Sequence, residues 1–540
     1  MSALTVPFLM PRVEEVVPDF AMLKDRLTGA SVVEERYTAT QVPSSGDAYT
    51  VGGSGSKLMI IRVANQNDYI DTSTMVLQFK AAGSSLADCA IDDHIFSCVD
   101  TINVKVGGQT VEVLNNVGHL MNALVQGSMP VSYYEKTGGF EGLYLYRKNA
   151  ASTGLASFVA ATSGGAVTTF VDVCPASRPD VTGSSALDAQ WDIGNQWLTN
   201  GRYYAVPLTL LGLCRIPTLF AARNFQDVTL EILFRSSVAG AVCQRNPNTT
   251  STTTTNAGFI NITDVSLTYD CCRMSADYYA LMDNELKMPN GSGVAYPIDT
   301  YQVQPATIAA GAAGTAGTGI AVSAVPASGL TRIVVAKGTR FLKSVYGVTK
   351  VASGENDPRY KNNSQNGNFG FNSYQVIINS KRYPQLQIQS SAMAFQELQK
   401  AYNQLGSIAG GTPITWESYL GHPFTRTTAG VALTNTSLQD LKMTSTKDGT
   451  SLGAFAGDEA MFQVGVNLEQ FLTNQPDAGG INTSTSGYQI AIELAQTGIV
   501  AAPAAGVALG LVEGAALTHY VILHFTRVLT LKAGAVEILD

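Results

Sequence analysis

Charged side chains are scarce in this chain of 540 residues. Asp, Glu, Lys and Arg together make up 14% of it, whereas an average soluble protein carries about 25%. The net charge is −8, and residues 1–50 hold four basic side chains against seven acidic ones. A protein that binds nucleic acid through its phosphates needs clustered positive charge. The composition therefore excludes general electrostatic binding of a genome, and we expect no direct sequence-specific binding of nucleic acid.

The sequence also lacks the segments that direct a protein to or across a membrane. The N-terminus, MSALTVPFLMPRVEEVVPDF, has no basic lead before a long apolar core, as a secretory signal would. No stretch reaches the roughly 18 uncharged apolar residues of a membrane span. The longest candidate, residues 497–517, is interrupted by Pro503 and Glu513 and is typical of loop and strand. Seven cysteines without CxxC spacing favour a reduced protein, made inside a cell and not secreted.

Catalytic motifs are absent as well. The glycine-rich stretches at 52–57 and 311–319 do not have the spacing of a phosphate-binding loop or of a dinucleotide fingerprint, and neither H-E-x-x-H nor G-x-S-x-G occurs. Of the five histidines only His519 and His524 are close. On one strand their five-residue spacing places them on opposite faces, which argues against joint metal ligation.

One cluster remains as a candidate metal site, namely Asp88, Cys89, Asp92, Asp93 and His94. Loop carboxylates before a strand are more often turn formers and caps. We therefore predict no metal, no cofactor, no catalytic residue and no enzymatic activity. Paired acids for glycoside hydrolysis stay open, because pairs in space are invisible in a sequence.

What the chain does contain is a series of alternating or β-branched runs bounded by Gly, Asn, Asp and Pro. They predict strands at 57–64, 74–81, 101–106, 168–173, 227–234, 262–269, 331–336, 374–379, 460–468, 488–494 and 520–531. Helical patterns are few and short, at 17–27, 115–127, 275–286 and 391–406. This balance predicts an all-β protein with inserted short helices. The segments 246–258 and 305–319 lack bulky apolar residues and are predicted to be exposed loops, or for the second a linker.

One unit occurs twice. VKVGGQTV (104–111) matches VIINSKRY (376–383) as a hairpin, at an offset of 272 residues that is almost half of the chain. Gly107 and Gly108 can supply the positive φ angles of a tight turn, as Asn379 can in the second copy. A helical pattern follows each hairpin. We therefore predict two similar β-domains, each with a helix after a central hairpin.

The same stretches resemble a known family, the double jelly-roll major capsid proteins of DNA viruses in the adenovirus hexon-like lineage. The likeness is closest to those of virophages, polinton-like viruses and large eukaryotic DNA viruses. It is carried by the opening strands IIRVANQNDYIDTSTMVLQFKA (60–81), the hairpin and helix DDHIFSCVDTINVKVGGQTVEVLNNVGHLMNAL (92–124), the barrel-closing segment PLTLLGLCRIPTLFAARNFQDVTLEILF (207–234) and the second hairpin and helix VIINSKRYPQLQIQSSAMAFQELQKAYNQLG (376–406). These stretches stand in the family's order.

The resemblance implies two tandem eight-stranded jelly-roll barrels. Their expected extents are an N-terminal arm at 1–35, a first jelly roll at 36–274, a linker helix at 275–293 and a second jelly roll at 294–540.

The resemblance also implies a major capsid protein that homotrimerises into pseudo-hexagonal capsomers, which tile an icosahedral virion shell. The expected partners are further copies of the chain, penton and minor or cement capsid proteins, and an internal membrane beneath the shell. The alternative is a carbohydrate-binding or carbohydrate-cleaving β-protein, such as a viral fibre or a two-domain lectin. The N-terminal arm could clasp a neighbour, or be no more than a frayed terminus.

Overall fold

The computed structural model describes the chain in segments, and every structural statement below concerns these residues. They are 33–63, 68–86, 89–91, 94–128, 158–162, 166–170, 198–216, 218–225, 227–244, 258–287, 294–308, 330–335, 337–352, 366, 371–402, 414, 419, 426–428, 431–433, 462–469, 480–484, 489–496, 517–532 and 535–539.

The first half of the chain contains thirteen strands. They are β1 (Val33–Gln41), β2 (Ala48–Val51), β3 (Leu58–Val63), β4 (Tyr69–Ser84), β5 (Cys89–Ile91), β6 (Val99–Val106), β7 (Gln109–Asn115), β8 (Phe158–Thr162), β9 (Ala166–Phe170), β10 (Arg202–Pro207), β11 (Val228–Phe234), β12 (Val242–Gln244) and β13 (Phe259–Met274). One antiparallel sheet has the order β1–β13–β4–β10, with β2 also pairing with β13, and the other has the order β3–β11–β6–β7. The pairs β5–β12 and β8–β9 lie outside these two sheets.

The second half repeats this order. Its strands are β14 (Val294–Ile308), β15 (Thr331–Val335), β16 (Phe341–Val351), β17 (Phe371–Ile378), β18 (Lys381–Ile388), β19 (Arg426–Thr428), β20 (Val431–Leu433), β21 (Val464–Asn467), β22 (Ile490–Gln496), β23 (Leu517–Lys532) and β24 (Ala535–Leu539). The two sheets run β14–β23–β16–β21 and β15–β22–β17–β18, and β24 pairs with the end of β23.

In each half the first strand pairs with the long strand near the end, β1 with β13 and β14 with β23, and the chain crosses repeatedly between the two sheets. This is the strand order of a jelly roll, which closes most strand edges by folding one sheet onto the other. The predicted fold class, two tandem eight-stranded barrels, is confirmed. No strand pairing joins the two halves within the described residues.

The duplicated hairpins are β6–β7 and β17–β18, and both turn through two residues with positive φ. Gly107 and Gly108 have φ values of 56° and 77°, and Asn379 and Ser380 have 47° and 66°. This conformation matches the twist of the flanking strands. The roles predicted for the two glycines and Asn379 are confirmed. Ser380 was not predicted, because Ser adopts positive φ much less often than Gly or Asn.

A helix follows each of these hairpins, as predicted. The helices are α1 (Val117–Ser128) after β7, α2 (Ala276–Lys287) between the two halves and α3 (Ser391–Ala401) after β18. Ser390 caps α3, because its Oγ accepts a hydrogen bond of 3.2 Å from the N–H of Met393. Helix α3 ends at Ala401, earlier than the predicted helix at 391–406. The helix predicted at 17–27 lies outside the described residues.

Strand β3 shows how the alternating pattern builds the core. Met59, Ile61 and Val63 are buried, while Leu58 before them and Arg62 between the last two are exposed. Such a strand has one face against its barrel core and one against solvent. Strand β23 differs, since both of its faces are largely buried. Its outer face must therefore be covered by something other than its own barrel.

The structure corrects two boundaries. Strand β1 begins at Val33, three residues inside the predicted arm, and the remainder of that arm lies outside the described residues. Strand β14 continues to Ile308, so residues 305–308 are strand where a loop was expected. Helix α2 lies within the predicted linker at 275–293.

In the described part of the chain no helix is long and apolar enough to cross a membrane.

Candidate functional site: the interface between the barrels

The outer face of β23 is covered by the first barrel. We call this surface the interbarrel interface: β7, α1 and residues 212–216 and 218–225 of the first barrel meet β14, β23 and the end of α3 in the second. Strand β7 is an edge strand of its sheet. Because an edge strand has backbone groups without partners in its own sheet, it can bond to another element that packs against it.

Glu112 on β7 lies at the centre of the interbarrel interface and is 0% exposed. Both carboxylate oxygens lie 3.0 Å from the backbone N of Gly212. The hydroxyl of Thr300 on β14 donates a third hydrogen bond, of 2.6 Å. Burial raises the pKa of Glu112, and the bonds from Thr300 and Gly212 oppose that rise. One carboxylate thus joins two elements of the first barrel to the second barrel.

Gly212 is needed here because the two barrels approach closely. A Cβ at this position would lie 2.1 Å from the carbonyl oxygen of Asp299 and 2.6 Å from Cγ2 of Ile298. No side chain fits such a gap without moving backbone. The absence of a side chain also leaves the N–H of Gly212 open to Glu112.

Two arginines cross the interbarrel interface in opposite directions. Arg215, at the end of the 3-10 turn Gly212–Arg215, donates to the Tyr301 hydroxyl at 3.0 Å and to the backbone oxygen of Asp299 at 2.5 Å. Its guanidinium also lies over the ring of Tyr301. From the second barrel, Arg527 donates to the backbone oxygen of Val111 at 2.6 Å. This bond satisfies part of the free edge of β7.

Next to these contacts, the second barrel contains an ion pair between Lys343 and Asp299. The Lys343 ammonium is 2.7 Å from Oδ1 of Asp299, which also accepts a hydrogen bond from Thr526. Burial acts to raise the pKa of Asp299, but the nearby positive charge and the two hydrogen bonds hold that pKa below its ordinary value. His524 stacks on Tyr301, and burial lowers its pKa to about 3.

The two helices that follow the hairpins also meet at this interface. The backbone oxygen of Ala123 in α1 accepts hydrogen bonds from the Tyr402 hydroxyl, at 3.2 Å, and from Nε2 of Gln463, at 3.1 Å. His119 of α1 packs on the ring of Tyr520 in β23, with 4.6 Å between ring centroids. Tyr402 therefore packs within the protein, where its ring also stacks on Tyr346.

An aromatic cluster extends the interface towards α2. The rings of Phe220, Phe225 and Tyr296 lie within 5.8 Å of one another, centroid to centroid. The Tyr296 hydroxyl accepts from the N–H of Ala221 and donates to the backbone oxygen of Leu219. Hydrophobic burial and satisfied polar groups thus hold the same surface together.

The described residues do not form the metal site for which the sequence offered a candidate cluster. Cys89 is buried on β5, and His94 caps a 3-10 turn by accepting a bond from the N–H of Phe96. Asp88, Asp92 and Asp93 lie outside the described residues. Within the part of the chain that the structure describes, no group of three or more potential ligands could hold a metal ion.

His519 and His524 lie on opposite faces of β23, as their spacing predicted. Nδ1 of His519 is 2.9 Å from the Thr349 hydroxyl, and its ring faces Tyr374 in the opposite sheet of the same barrel. His524 faces the interbarrel interface, beside Tyr301.

Sequence reasoning missed Glu112, and the reason is physical. Period-two alternation around TVEVLN would put Glu112 on the solvent side of its strand. Instead the register of β6 and β7 shifts between Val104 and Lys105, and both Val111 and Glu112 are buried. A bulge of this kind redirects a side chain without any signal in the hydrophobic pattern.

Replacing Glu112 by alanine should destabilise the protein. The substitution Glu112→Ala leaves the N–H of Gly212 and the hydroxyl of Thr300 buried without an acceptor, with an expected loss of about 2 kcal/mol in the free energy of unfolding. Glu112→Gln keeps an acceptor oxygen and removes the buried charge, so its loss should be smaller. Urea unfolding followed by fluorescence measures both.

The matched control is Glu231→Ala on β11 of the same barrel. Glu231 pairs with Lys105 at 2.6 Å on the outer face of the sheet, and such pairs contribute about 0.5 kcal/mol. Equal losses for the two alanine variants would contradict a special role for Glu112.

Comparison with known proteins gives a likeness in fold only. No protein-family model matches the sequence, and no curated protein matches it. A chain in the structure of the Sputnik virophage matches with a TM-score of 0.50 at 10% identity, over 94% of this chain and 89% of that one. The Faustovirus major capsid protein gives a TM-score of 0.49 at 8% identity, over 96% and 98% of the two chains. A chain of the PBCV-1 virus capsid gives 0.49 at 10%, over 95% and 98%.

These solved structures are double jelly-roll major capsid proteins. This chain is a double jelly roll. The strand order of the two halves, together with the likeness to the Sputnik chain, confirms at the level of the fold the resemblance inferred from the sequence. Because the sequence identity is so low, the assignment of this fold rests on the strand order and on the two hairpin–helix units.

Proposed function

We propose that this double jelly roll is a major capsid protein. Three copies associate into a pseudo-hexagonal capsomer, and capsomers tile the icosahedral shell of a virion. The observation that carries the proposal is the pair of barrels of like topology joined through buried groups at the interbarrel interface. Three such chains supply six similar barrels, which allows a closed threefold ring to pack in hexagonal arrays.

The composition supports the same role. A surface of low charge density allows broad contacts between subunits with little desolvation of ions. The jelly roll also leaves few free strand edges, which limits uncontrolled edge pairing during assembly.

The proposal extends to the parts of the chain and to its partners. An arm ending near β1 lies beneath the shell and contacts a neighbouring copy, a minor or cement protein, or an internal membrane. Penton proteins fill the fivefold positions. The boundary between the two barrels falls in the segment 275–293, which contains α2. The protein works without a cofactor and is not an enzyme, and its place is the virion, after assembly inside the host cell.

Light scattering coupled to size-exclusion chromatography tests the proposal directly. The purified full chain should elute with three times the mass of one chain, and the trimer should resist heat but dissociate in SDS. Negative-stain images should show pseudo-hexagonal particles. A monomer that binds glycans on an array would contradict the proposal and support the carbohydrate-binding alternative.

A further inference from the structure

The two hairpins present equivalent edge strands. Strand β7 is the edge of one sheet in the first barrel, and β18 is the edge of the corresponding sheet in the second. Ile102 pairs with Leu114 in the first copy, and Tyr374, which is 272 residues after Ile102, pairs with Ile388 in the second. Strands β7 and β18 are therefore counterparts. Between the turn and the pairs just named, β18 contains two more residues than β7.

The two edges have different surroundings. On β7, Val111 and Glu112 are fully buried by the interbarrel interface. The corresponding part of β18 is half-buried to exposed, and Leu386 in its longer bulge is 78% exposed. Hydrogen bonds from Gln375 to the oxygen of Pro384 and from Gln387 to Ser373 fix this part of the strand. The bulge thus holds a large apolar side chain in solvent.

The sheet faces on which such an edge could pack also differ in how far they are buried. In the second barrel the outer side of β23 is covered, with Tyr520, Ile522 and Thr526 buried. In the first barrel the corresponding side of β13 is partly exposed, at residues such as Thr268 and Asp270. On the same face, Tyr203 of β10 is 64% exposed.

One chain therefore contains two equivalent edges and two equivalent faces but uses only one of each. The edge of the first barrel packs on the face of the second. A second copy of the chain can repeat this contact, and a heterologous contact that repeats can close into a ring. We propose that the β18 edge of one copy, residues 381–387, packs on the β1–β13–β4 face of the first barrel of a neighbouring copy. This assignment rests on the proposed function, since it names the surfaces that join the chains of a trimer.

The charges at the turn end of the hairpin fit this arrangement. In the first copy the turn lies against β24 at the end of β23, where a Cβ on Gly107 would meet Val536 at 2.8 Å. The corresponding place in the first barrel is the end of β13, beside the exposed Glu34 of β1 and beside Glu35, which pairs with Arg273 at 3.0 Å. The turn of the second hairpin is followed by the exposed Lys381 and Arg382. Opposite charges would therefore meet at this end of the contact.

The double variant Arg382→Glu/Leu386→Asp tests the assignment. It removes the apolar contact and reverses one charge at the proposed surface, so trimer dissociation should increase about tenfold or more. The matched control is Arg332→Glu/Val334→Asp. These residues are exposed on β15, the opposite edge of the same sheet, and the control should trimerise as the wild type does. Analytical ultracentrifugation over a dilution series measures both, and circular dichroism checks that each variant is folded.

Hydrogen exchange provides a second readout that needs no variant. In the wild-type trimer, the amides of residues 381–387 and 33–41 should exchange more slowly than in trimers dissociated by dilution. Unchanged exchange at these segments, or a β18 variant that trimerises like the control, would overturn the assignment while leaving the capsid proposal intact. A wild-type chain that stays monomeric at all concentrations would overturn both.

Discussion

Lowering the pH from about 7.5 to about 4.5 should reduce the free energy of unfolding by about 3 kcal/mol through His519 alone. This histidine is 1% exposed, inside the second barrel. Burial lowers its pKa from 6.5 to about 3, because the charged ring would lose its hydration. Among the described residues, Nε2 of His519 has no hydrogen-bond partner that could stabilise an added proton.

The sign follows from the two pKa values. The folded protein keeps His519 neutral, whereas the unfolded chain binds a proton below about pH 6.5. The contribution of His519 to stability is thus fully present above pH 6.5. It is lost as the pH falls from there towards 3. Each pH unit in this window corresponds to about 1.4 kcal/mol.

Three titratable groups at or beside the interbarrel interface also affect how stability depends on pH. His524 has the same sign, since burial lowers its pKa, although Asp299 beside it favours the charged ring and reduces the effect. The pKa of Asp299 is lowered from 3.8, so its contribution is lost only as the pH falls below about 3.8, outside the range from about 7.5 to about 4.5. Glu112 acts in the opposite direction, because its raised pKa favours the protonated form in the folded state.

Urea unfolding at several pH values, for the wild type and for His519→Gln, measures the contribution. Gln cannot titrate, so the variant should lose less stability on acidification by about 3 kcal/mol. His524→Gln serves for comparison and should change the pH dependence less. If the wild type and His519→Gln lost stability in parallel, His519 would not be the titrating group.

Breaking the Lys343–Asp299 pair should have an effect of similar size. The Lys343 side chain is 6% exposed and that of Asp299 is 28% exposed, with 2.7 Å between Nζ and Oδ1. Lys343→Met leaves the Asp299 carboxylate without its counter-ion in a place with little water. We expect a loss of about 3 kcal/mol in the free energy of unfolding.

The double variant Lys343→Met/Asp299→Asn separates loss of the pair from loss of packing. With both charges gone, no buried ion remains uncompensated, so most of the lost stability should return. The backbone oxygen of Asp299, which accepts from Arg215, is retained in every variant. A loss below about 0.5 kcal/mol for Lys343→Met would show a pair screened by solvent, as on an ordinary surface.

The hairpin–helix units show how much local sequence can predict. The turn residues Gly107, Gly108 and Asn379 indicated where each hairpin reverses, and the helical spacing after each hairpin indicated α1 and α3. Both signals are local, because a tight turn needs positive φ and an amphipathic helix needs an apolar stripe. The end of α3 was predicted too late, since its pattern continues past the residue where the helix stops.

The interbarrel interface had no such signal. Glu112 and Gly212 are 100 residues apart in the chain, and Thr300 is 188 residues from Glu112. Nothing in the residues around any one of them shows that they meet. The bulge in β7 that buries Glu112 also cannot be read from alternation.

The sequence by itself determined the class of the protein: strands in two matching series, with a tight turn and a helix in each. These features depend on the period of the hydrophobic pattern and on the conformations that single residues allow. Only the tertiary structure decided which strand edge is covered and which face is left open, and which carboxylates and histidines are buried. Those outcomes depend on packing between segments far apart in the chain, where burial and the groups nearby set the energy of each side chain.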